Sequence, residues 1–553
     1  MGMVFRDRRV ASSGRRRLGF EPLESRDLLA AVSVNVGDVL RSVNNQVLGI
    51  NLGWWDSYLS TSQTAQLVKA AGLTLFRLPG GSDSDILHFN VPPPQGDPSL
   101  PAMANFIASV GGGGMVTLDY GSGSPQEAAA LLAYLDAPVT NTTPIGFGEE
   151  WNTTTNTWVQ TDWKTAGYWA SLRTAAPLAH DDGLNFLRVH HPAPWGIHYF
   201  EVGNEVYGDW ETDHHGTGGD TGAPHDPATY VAFAKQFAAY AQQIAPTISI
   251  GVGSGDSYTW DTWLVPVLQD GVSQGFIPGF ISDHNYVQTP GQESDSYLLN
   301  DTVSDPANTV ADWAARAAGY RSLLQQTLGA AAANVQLMAT EFNSVYSNPG
   351  KQSTSLVNGL FLADSLGSIL ETQYNAALFW DLRNSWDTGN NNSPALYGWR
   401  QGGDYGILGD SSGPAPATGP YIPYPTYFAE ELVSKMVHPG DTVVQAVSSD
   451  PDLSVYAVRQ ASDKHLDLLV INKSPTATLT GNFQLTGFQP GLVAYLWQYG
   501  KAQDTAQSRT SNGSSALAGS IALILEKGST FSLAFPAYSM TVVDLAPGFA
   551  PAL

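Results

Sequence analysis

Cysteine is missing altogether from this 553-residue chain, so no disulfide can staple it and no thiolate can hold a metal. Basic residues are scarce: 26 Lys and Arg stand against 50 Asp and Glu, a net charge of −24. That balance argues against nucleic acid or an anionic membrane surface as a partner. No run is long and apolar enough to span a bilayer. Charged residues are only 14% of the chain and hydrophobic residues 43%, the composition of a globular protein. The length is too great for one ordinary core and suits a large barrel with a smaller domain.

The scarce basic residues are unevenly spread. Residues 1–31 hold seven arginines and four acids, a net of +3 that reverses the sign of the remainder. Such a break marks a segment outside the fold. It lacks the continuous apolar stretch of an ordinary secretory signal. From about residue 46 the pattern alternates short apolar strands with helical segments. Strands are expected at 47–52, 74–78, 115–119, 198–202, 247–252, 280–286, 335–340 and 376–381. Eight such repeats predict a closed (β/α)8 barrel over 46–437. Helix signals fit between them: Ser124-Pro125-Gln126-Glu127 reads as a capping box, Asp226-Pro227 as a second start, and Gly72 as a stop. A Thr/Trp-rich insertion at 140–164 and an irregular stretch at 384–425 leave the strand carboxyl ends, where they can wall a cleft. Beyond 437 the strands become short and alternating, which predicts a C-terminal antiparallel β-sandwich over 438–553. An early strand within 32–45 is placed to join that sandwich.

Two of the barrel strands end in a glutamate. Tyr199-Phe200-Glu201-Val202-Gly203-Asn204-Glu205 closes the fourth, and Val335 through Glu341 the seventh. An ionisable group at the end of a core strand is costly to hold there, and that end of a barrel is where catalytic residues sit. Paired carboxylates are the equipment of glycoside hydrolysis. Singly, each Glu reads equally well as a cap or an ion-pair partner; the pair does not. Arg77, at the end of the second strand, either pairs with Glu341 or forms a structural ion pair under the barrel floor. Trp380 ends the eighth strand and can floor a sugar site. Trp54, Trp55, Trp210, Trp386 and Trp399 fall in rim loops, whereas Trp260, Trp263 and Trp313 read as core. Asp213, His214, His215 and Asp220 cluster in a Gly-rich loop without metal-ligand spacing, and Asp404 and Asp410 lie in Gly-Asp turns; neither group calls for a metal.

Several segments resemble the family 51 glycoside hydrolases, the α-L-arabinofuranosidase group of the retaining barrel clan. Arg77-Leu78-Pro79-Gly80-Gly81 is similar to that family's R-x-P-G-G turn, Gly121 to Ala129 to its G-x-G-[ST]-P-x-E-A-A segment, and Glu201 to Trp210 to its E-x-G-N-E-x-x-G-x-W segment. The resemblance implies Glu205 as general acid/base, Glu341 as nucleophile and Asn204 as a ligand of the sugar's 2-hydroxyl. It implies an aromatic residue or His at the end of strand six that orients the nucleophile, where His284 and Tyr286 stand. No cofactor and no metal are implied. Residues 20–30 resemble the short E-x-L-E-x-R-x-L-L leader of exported planctomycete proteins, which implies a secreted or surface-held protein.

The chain departs from the family in three places. Gly53 stands where the family has a Glu at the end of strand one, Ser82 where it has the Asn of P-G-G-N, and Asp119 where it tends to have Asn. A site that loses hydrogen-bond partners for a sugar loses discrimination for that sugar. The expected function is a retaining glycosidase on plant or algal polysaccharide, with arabinofuranosides leading. β-Xylosidase, endo-glucanase or xylanase, and glucuronidase activities of the same clan stay open. A carbohydrate-binding surface protein without turnover, or a purely structural envelope protein, are the readings from other classes. The sequence does not set the oligomeric state.

Overall fold

Eight short parallel strands close on themselves: Gly49–Asn51, Leu75–Leu78, Gly113–Leu118, Tyr199–Val202, Ser249–Gly253, Phe280–Tyr286, Gln336–Asn343 and Tyr374–Phe379, in that order round the barrel. Each segment expected to be a barrel strand overlaps one. The protein is seen here as a computed structural model that describes residues 28–548 apart from 216–225, 256–261, 306, 309, 415–418, 505–515 and 525–527. Most of the basic leader, Asp220 and Trp260 lie outside the described residues. No helix among those described is long and apolar enough to cross a membrane.

Alternation along the strands builds the barrel interior in layers. The lower layer is apolar: Leu75, Met115, Tyr199, Phe280, Met338 and Leu378 pack together. Two residues further along the same strands stand Arg77, Thr117, Glu201, Ser282 and Thr340, all buried and all polar. They satisfy one another. The Thr117 hydroxyl donates to Glu201 at 3.2 Å, Ser282 bonds both Glu201 and Thr340, and the Asn51 amide donates to the Thr340 carbonyl at 3.0 Å. Charge buried in this way is tolerated because every group has a partner.

The helices start as their sequences require. The Ser124 hydroxyl accepts the N–H of Glu127 at 3.3 Å ahead of Pro125–Asp136. The reciprocal half of the capping box does not form, because the Glu127 carboxylate turns inward to His88 Nδ1 at 3.0 Å. Asp226 caps Pro227–Ile244, whose Tyr230, Phe233, Phe237, Ala241 and Ile244 are buried. Gly72, with φ +73°, ends Ser62–Ala71. Trp263 and Trp313 are core residues. The insertion at 140–164 is an antiparallel hairpin, Phe147–Asn152 with Thr157–Asp162.

The C-terminal strands form one nine-stranded sheet wrapped over an apolar core that includes Val34, Val444, Val455, Phe483 and Leu545. Leu28–Ser42 belongs to it, antiparallel to Thr442–Ser448 and parallel to Leu479–Thr486. The sandwich is therefore mixed rather than wholly antiparallel. The direction of that strand is set by its exit: it must deliver Val43, whose N–H bonds the Asp441 carbonyl at 2.8 Å, to the first barrel strand. The sheet's other face packs on the barrel. Leu466–Asn472 is buried throughout, and the Tyr456 hydroxyl donates to Asp364 of helix Leu356–Glu371 at 2.8 Å.

Strand six owes its placement to a buried ion pair. Arg316 donates through Nε to Asp283 at 3.0 Å and through a terminal nitrogen to the His284 carbonyl at 3.0 Å, and the Tyr320 hydroxyl donates to Asp283 at 2.8 Å. Removing the cation leaves Asp283 buried and uncompensated, which costs about 3–5 kcal/mol. Arg316→Met is expected to lower the unfolding free energy measured in urea by that much, while Asp283→Asn paired with Arg316→Met recovers part of the loss.

Candidate active site

At the carboxyl ends of the strands a cleft of about 940 Å³ opens, lined among others by Ser82, Asn204, Glu205, Trp210, His284 and Glu341. Beneath it lies a single guanidinium. Arg77, with no exposed surface, donates through Nε to Glu201 at 2.6 Å and through its terminal nitrogens to Asn51 at 2.9 Å, Glu341 at 3.0 Å and Asn204 at 2.7 Å. The two glycines after Arg77-Leu78-Pro79 have a steric reason. A Cβ at Gly80 or Gly81 would meet the Trp380 ring at 2.8 or 2.6 Å, so only glycine lets that ring close on the loop.

Glu341 reaches the cleft through an irregularity. Met338 and Thr340 face the interior, so strict alternation would turn Glu341 outward. The register slips between Ala339 and Glu341 against strand six, and Glu341 points in as well. It accepts from Arg77 at 3.0 Å and from the Tyr286 hydroxyl at 2.6 Å. Glu205 sits just past strand four with φ +40°, a left-handed conformation that is strained for a residue with a side chain. Gly203 precedes it at φ +68°, where a Cβ would lie 2.4 Å from Val206. The turn is held by the Asn204 N–H on Asp85 at 2.9 Å and the Gly208 N–H on the Glu205 carbonyl at 2.7 Å. Glu205 accepts from Tyr207 at 3.1 Å, Trp210 at 2.8 Å and His284 Nδ1 at 2.7 Å.

One oxygen of each glutamate and a His284 nitrogen lie within 4.8 Å of one another. Such a triad has the spacing of a metal site, but much of the carboxylates' lone-pair capacity is already taken by Arg77, Tyr286, Tyr207 and Trp210. The three groups share charge. Burial pulls His284 down, and the charge of Glu341 with the hydrogen bond and charge of Glu205 lift it to about 9. Burial also raises Glu205, yet the His284 hydrogen bond and charge, helped by Trp210 and Tyr207, bring it below its ordinary value. Burial holds Glu341 above its ordinary value despite His284 and Arg77, and Glu205 adds to the rise. These directions favour His284 over Glu205 as the holder of the shared proton. Among the described residues its Nε2 is buried without a hydrogen-bond partner.

Asn204 is clamped at both ends of its amide. Its oxygen takes Arg77, and its nitrogen donates to Glu211 at 2.8 Å, leaving one N–H for the cleft. The Ser82 hydroxyl also donates to Glu211, at 2.8 Å. Burial, with the charge of Glu205, lifts Glu211 to about 7. Glu211, Tyr346 and Tyr405 were not legible as site residues, since they lie in loops without periodicity. Of the aromatic candidates, Trp380 and Trp210 line the cleft. Trp55 backs Trp380 with ring centroids 6.1 Å apart. Trp54 lies outside the cleft, in a second cavity. Trp386 and Trp399 lie outside it too, the latter donating to the Asp504 carbonyl. His214 stacks on Trp151 and His215 bonds the Tyr120 carbonyl, so both brace the hairpin and barrel. Asp404 accepts from Tyr424, and Asp410 from Ser412.

No family model and no curated protein sequence matches the chain. Solved structures do match, across nearly its whole length. The arabinose complex of α-L-arabinofuranosidase from Thermotoga maritima superposes with TM-score 0.66 at 17% identity, over 94% of this chain and all of that one. The family 51 α-L-arabinofuranosidase of Thermotoga petrophila gives 0.64 at 18%, over 93% and 99%. A Paenibacillus polymyxa xyloglucanase of family 44 gives 0.60 at 14%, over 94% and 100%. The fold is thus the barrel-plus-β-domain fold of family 51 and family 44 glycoside hydrolases.

His284 links the site to pH. Its pKa is raised from an ordinary 6.5 to about 9, so the stability it contributes is full below 6.5 and lost as pH rises through about 9. Urea midpoints measured at pH 6 and pH 10 should fall more steeply for the wild type than for His284→Asn.

Proposed function

We propose that the chain is a retaining glycoside hydrolase in which Glu205 is the general acid/base and Glu341 the nucleophile. The observation that carries this reading is the convergence of the two carboxylates, with His284, within 4.8 Å. Retaining pairs stand about 5–5.5 Å apart and inverting pairs about 6.5–9.5 Å. The partners distribute the roles. Glu341 is paired with Arg77, a cation that never deprotonates, and stays ionised to attack the anomeric carbon. Glu205 depends on His284, whose Nδ1 proton can pass to it across 2.7 Å. Once that proton moves, Glu205 is the acid that protonates the leaving oxygen, and afterwards the base that activates water. Asn204 offers its free N–H to a sugar hydroxyl beside the bond being broken.

The substrate we favour is a neutral plant or algal polysaccharide, with arabinofuranosides leading because the site motifs resemble family 51. The family 44 likeness keeps endo-acting glucanase or xylanase activity as the second reading. Export through the basic leader fits such a substrate. The test is product analysis on arabinan, arabinoxylan, xyloglucan and β-glucan. Free arabinose would establish the first reading and oligosaccharides the second. Glu341→Gln should abolish turnover. Glu205→Gln should slow substrates with poor leaving groups by about 10²–10⁴-fold while sparing activated aryl glycosides in the first step. Wild-type rates in both variants would refute the assignment.

A further inference from the structure

A second cavity, of about 430 Å³, lies beside the cleft between the loop after strand two and the hairpin inserted at 140–164. We propose that this cavity is a distal subsite that holds a neutral oligosaccharide stretch of the polymer whose glycosidic bond lies in the catalytic cleft. The proposal rests on the glycosidase reading for the cleft, and it stands on three observations.

The first is a pair of indole rings fixed in advance. Trp54 lines the cavity with its Nε1–H on Asp83 at 2.6 Å. Trp151 comes from the hairpin. Its ring stacks on His214 with centroids 4.0 Å apart and planes 13° apart, and its carbonyl is bonded to His88 Nε2 at 3.1 Å. Flat rings already locked in place are what a sugar face packs on at small entropic cost. The second is the polar complement. Asp83, Glu150 and Asn152 share the lining with the rings. Asn90 donates to Glu150 at 3.5 Å, and the Thr161 hydroxyl does so at 3.0 Å, which keeps that carboxylate in place as an acceptor. Carboxylates accept from hydroxyl groups and repel acidic ligands. His88, the one cationic group in the lining, is already spent on Glu127 and Asp119. A neutral, hydroxyl-rich ligand is the chemistry left. The third is continuity. Gly81 and Ser82 line the cleft and Asp83 lines the cavity. Trp380, Trp55 and Trp54 form a row from one to the other, with ring steps of 6.1 and 6.4 Å. A chain leaving the cleft reaches the cavity within a few sugar units.

The test uses the full chain and two substitutions. Trp54→Ala removes a ring. Val91→Arg, at a lining position that is 55% exposed, lays a long charged side chain across the mouth and leaves the core alone. Matched melting curves establish that both fold. Kinetics on arabinoxylan and on a short aryl arabinofuranoside are compared, and each substitution is also placed in the Glu341→Gln background for native-gel retardation by arabinoxylan, linear arabinan and xyloglucan. The expected result is a loss in kcat/KM on the polymer at least ten-fold greater than the loss on the aryl glycoside, with weaker retardation. Equal losses on both substrates, or undiminished retardation, would overturn the subsite. If the wild type hydrolyses none of these substrates, the glycosidase reading fails by itself, and the gel still decides the cavity. Retardation abolished by the two substitutions supports it, and retardation kept, or absent in the unsubstituted chain, refutes it.

Discussion

Everything at the carboxyl end of the barrel hangs on the fork of Arg77. One buried guanidinium serves Glu201 on strand four, Glu341 on strand seven, Asn51 on strand one and Asn204 in the turn after strand four. A guanidinium can do this because its donors lie in one rigid plane; an ammonium cannot meet the same partners at the same angles. The arrangement also explains why acid is tolerated in the barrel at all. Glu201 and Glu341 would each be costly to bury alone, and they are affordable as two carboxylates around one cation with hydroxyl donors filling the remaining lone pairs. Structure and chemistry therefore share a residue. The group that lets the polar layer fold is also a group that pulls the Glu341 pKa down against burial.

That sharing leaves the second charge to His284. With Arg77 committed, the Glu205 carboxylate has one ion-pair partner among the described residues, His284, and it is one that titrates. A protonated His284 holds Glu205 below its ordinary value, so on the proposed reading its carboxyl is a poor acid until a proton reaches it. On the proposed reading, competence requires the Nδ1 proton to move to Glu205 across their hydrogen bond. Two like carboxylates at this separation cannot both be tuned by their own surroundings, and a mobile proton between them separates their roles. The strained φ of Glu205 has the same logic. A left-handed residue after Gly203 places the side chain where Trp210, Tyr207 and His284 can all reach it.

The barrel was readable from the sequence because its strands are short apolar runs separated by capped helices, a signal that depends on local residues. The two glutamates were readable because charge at the end of such a run has no cheap explanation. Their neighbours were less so. Alternation alone would send Glu341 outward, and only the register slip after Ala339 turns it in, which no local pattern reports. Glu211 directly follows Trp210 in a loop, and its hold on Ser82 and Asn204 is a product of tertiary packing. Rim tryptophans were readable as a class and not as individuals. Trp210 and Trp380 face the cleft, while Trp54, Trp386 and Trp399 do not, because the loops that carry them have no period from which direction could be taken. The parallel pairing of Leu28–Ser42 was equally hidden, being set by where the chain must enter the barrel.

The differences from the family 51 motifs acquire a physical meaning from the packing around them. At Gly53, where the family has a Glu, a Cβ would lie 2.4 Å from the Trp55 ring. Trp55 in turn packs edge-on to Trp380 at 6.1 Å and donates to the Arg383 carbonyl at 3.2 Å. A side chain at position 53 and an indole at position 55 are thus mutually exclusive in this arrangement. Losing the carboxylate is the condition for bracing Trp380 with a second ring. At Ser82, where the family has Asn, the shorter hydroxyl reaches Glu211, which also holds Asn204. In place of the motif's Glu and Asn, this chain has a braced aromatic ring and a hydroxyl on Glu211. Aromatic faces grip many sugars with little preference among hydroxyl patterns, whereas buried hydrogen-bond partners reject the wrong one strongly. On the proposed reading the chemistry belongs to Glu205 and Glu341, and these exchanges bear on selectivity among sugars.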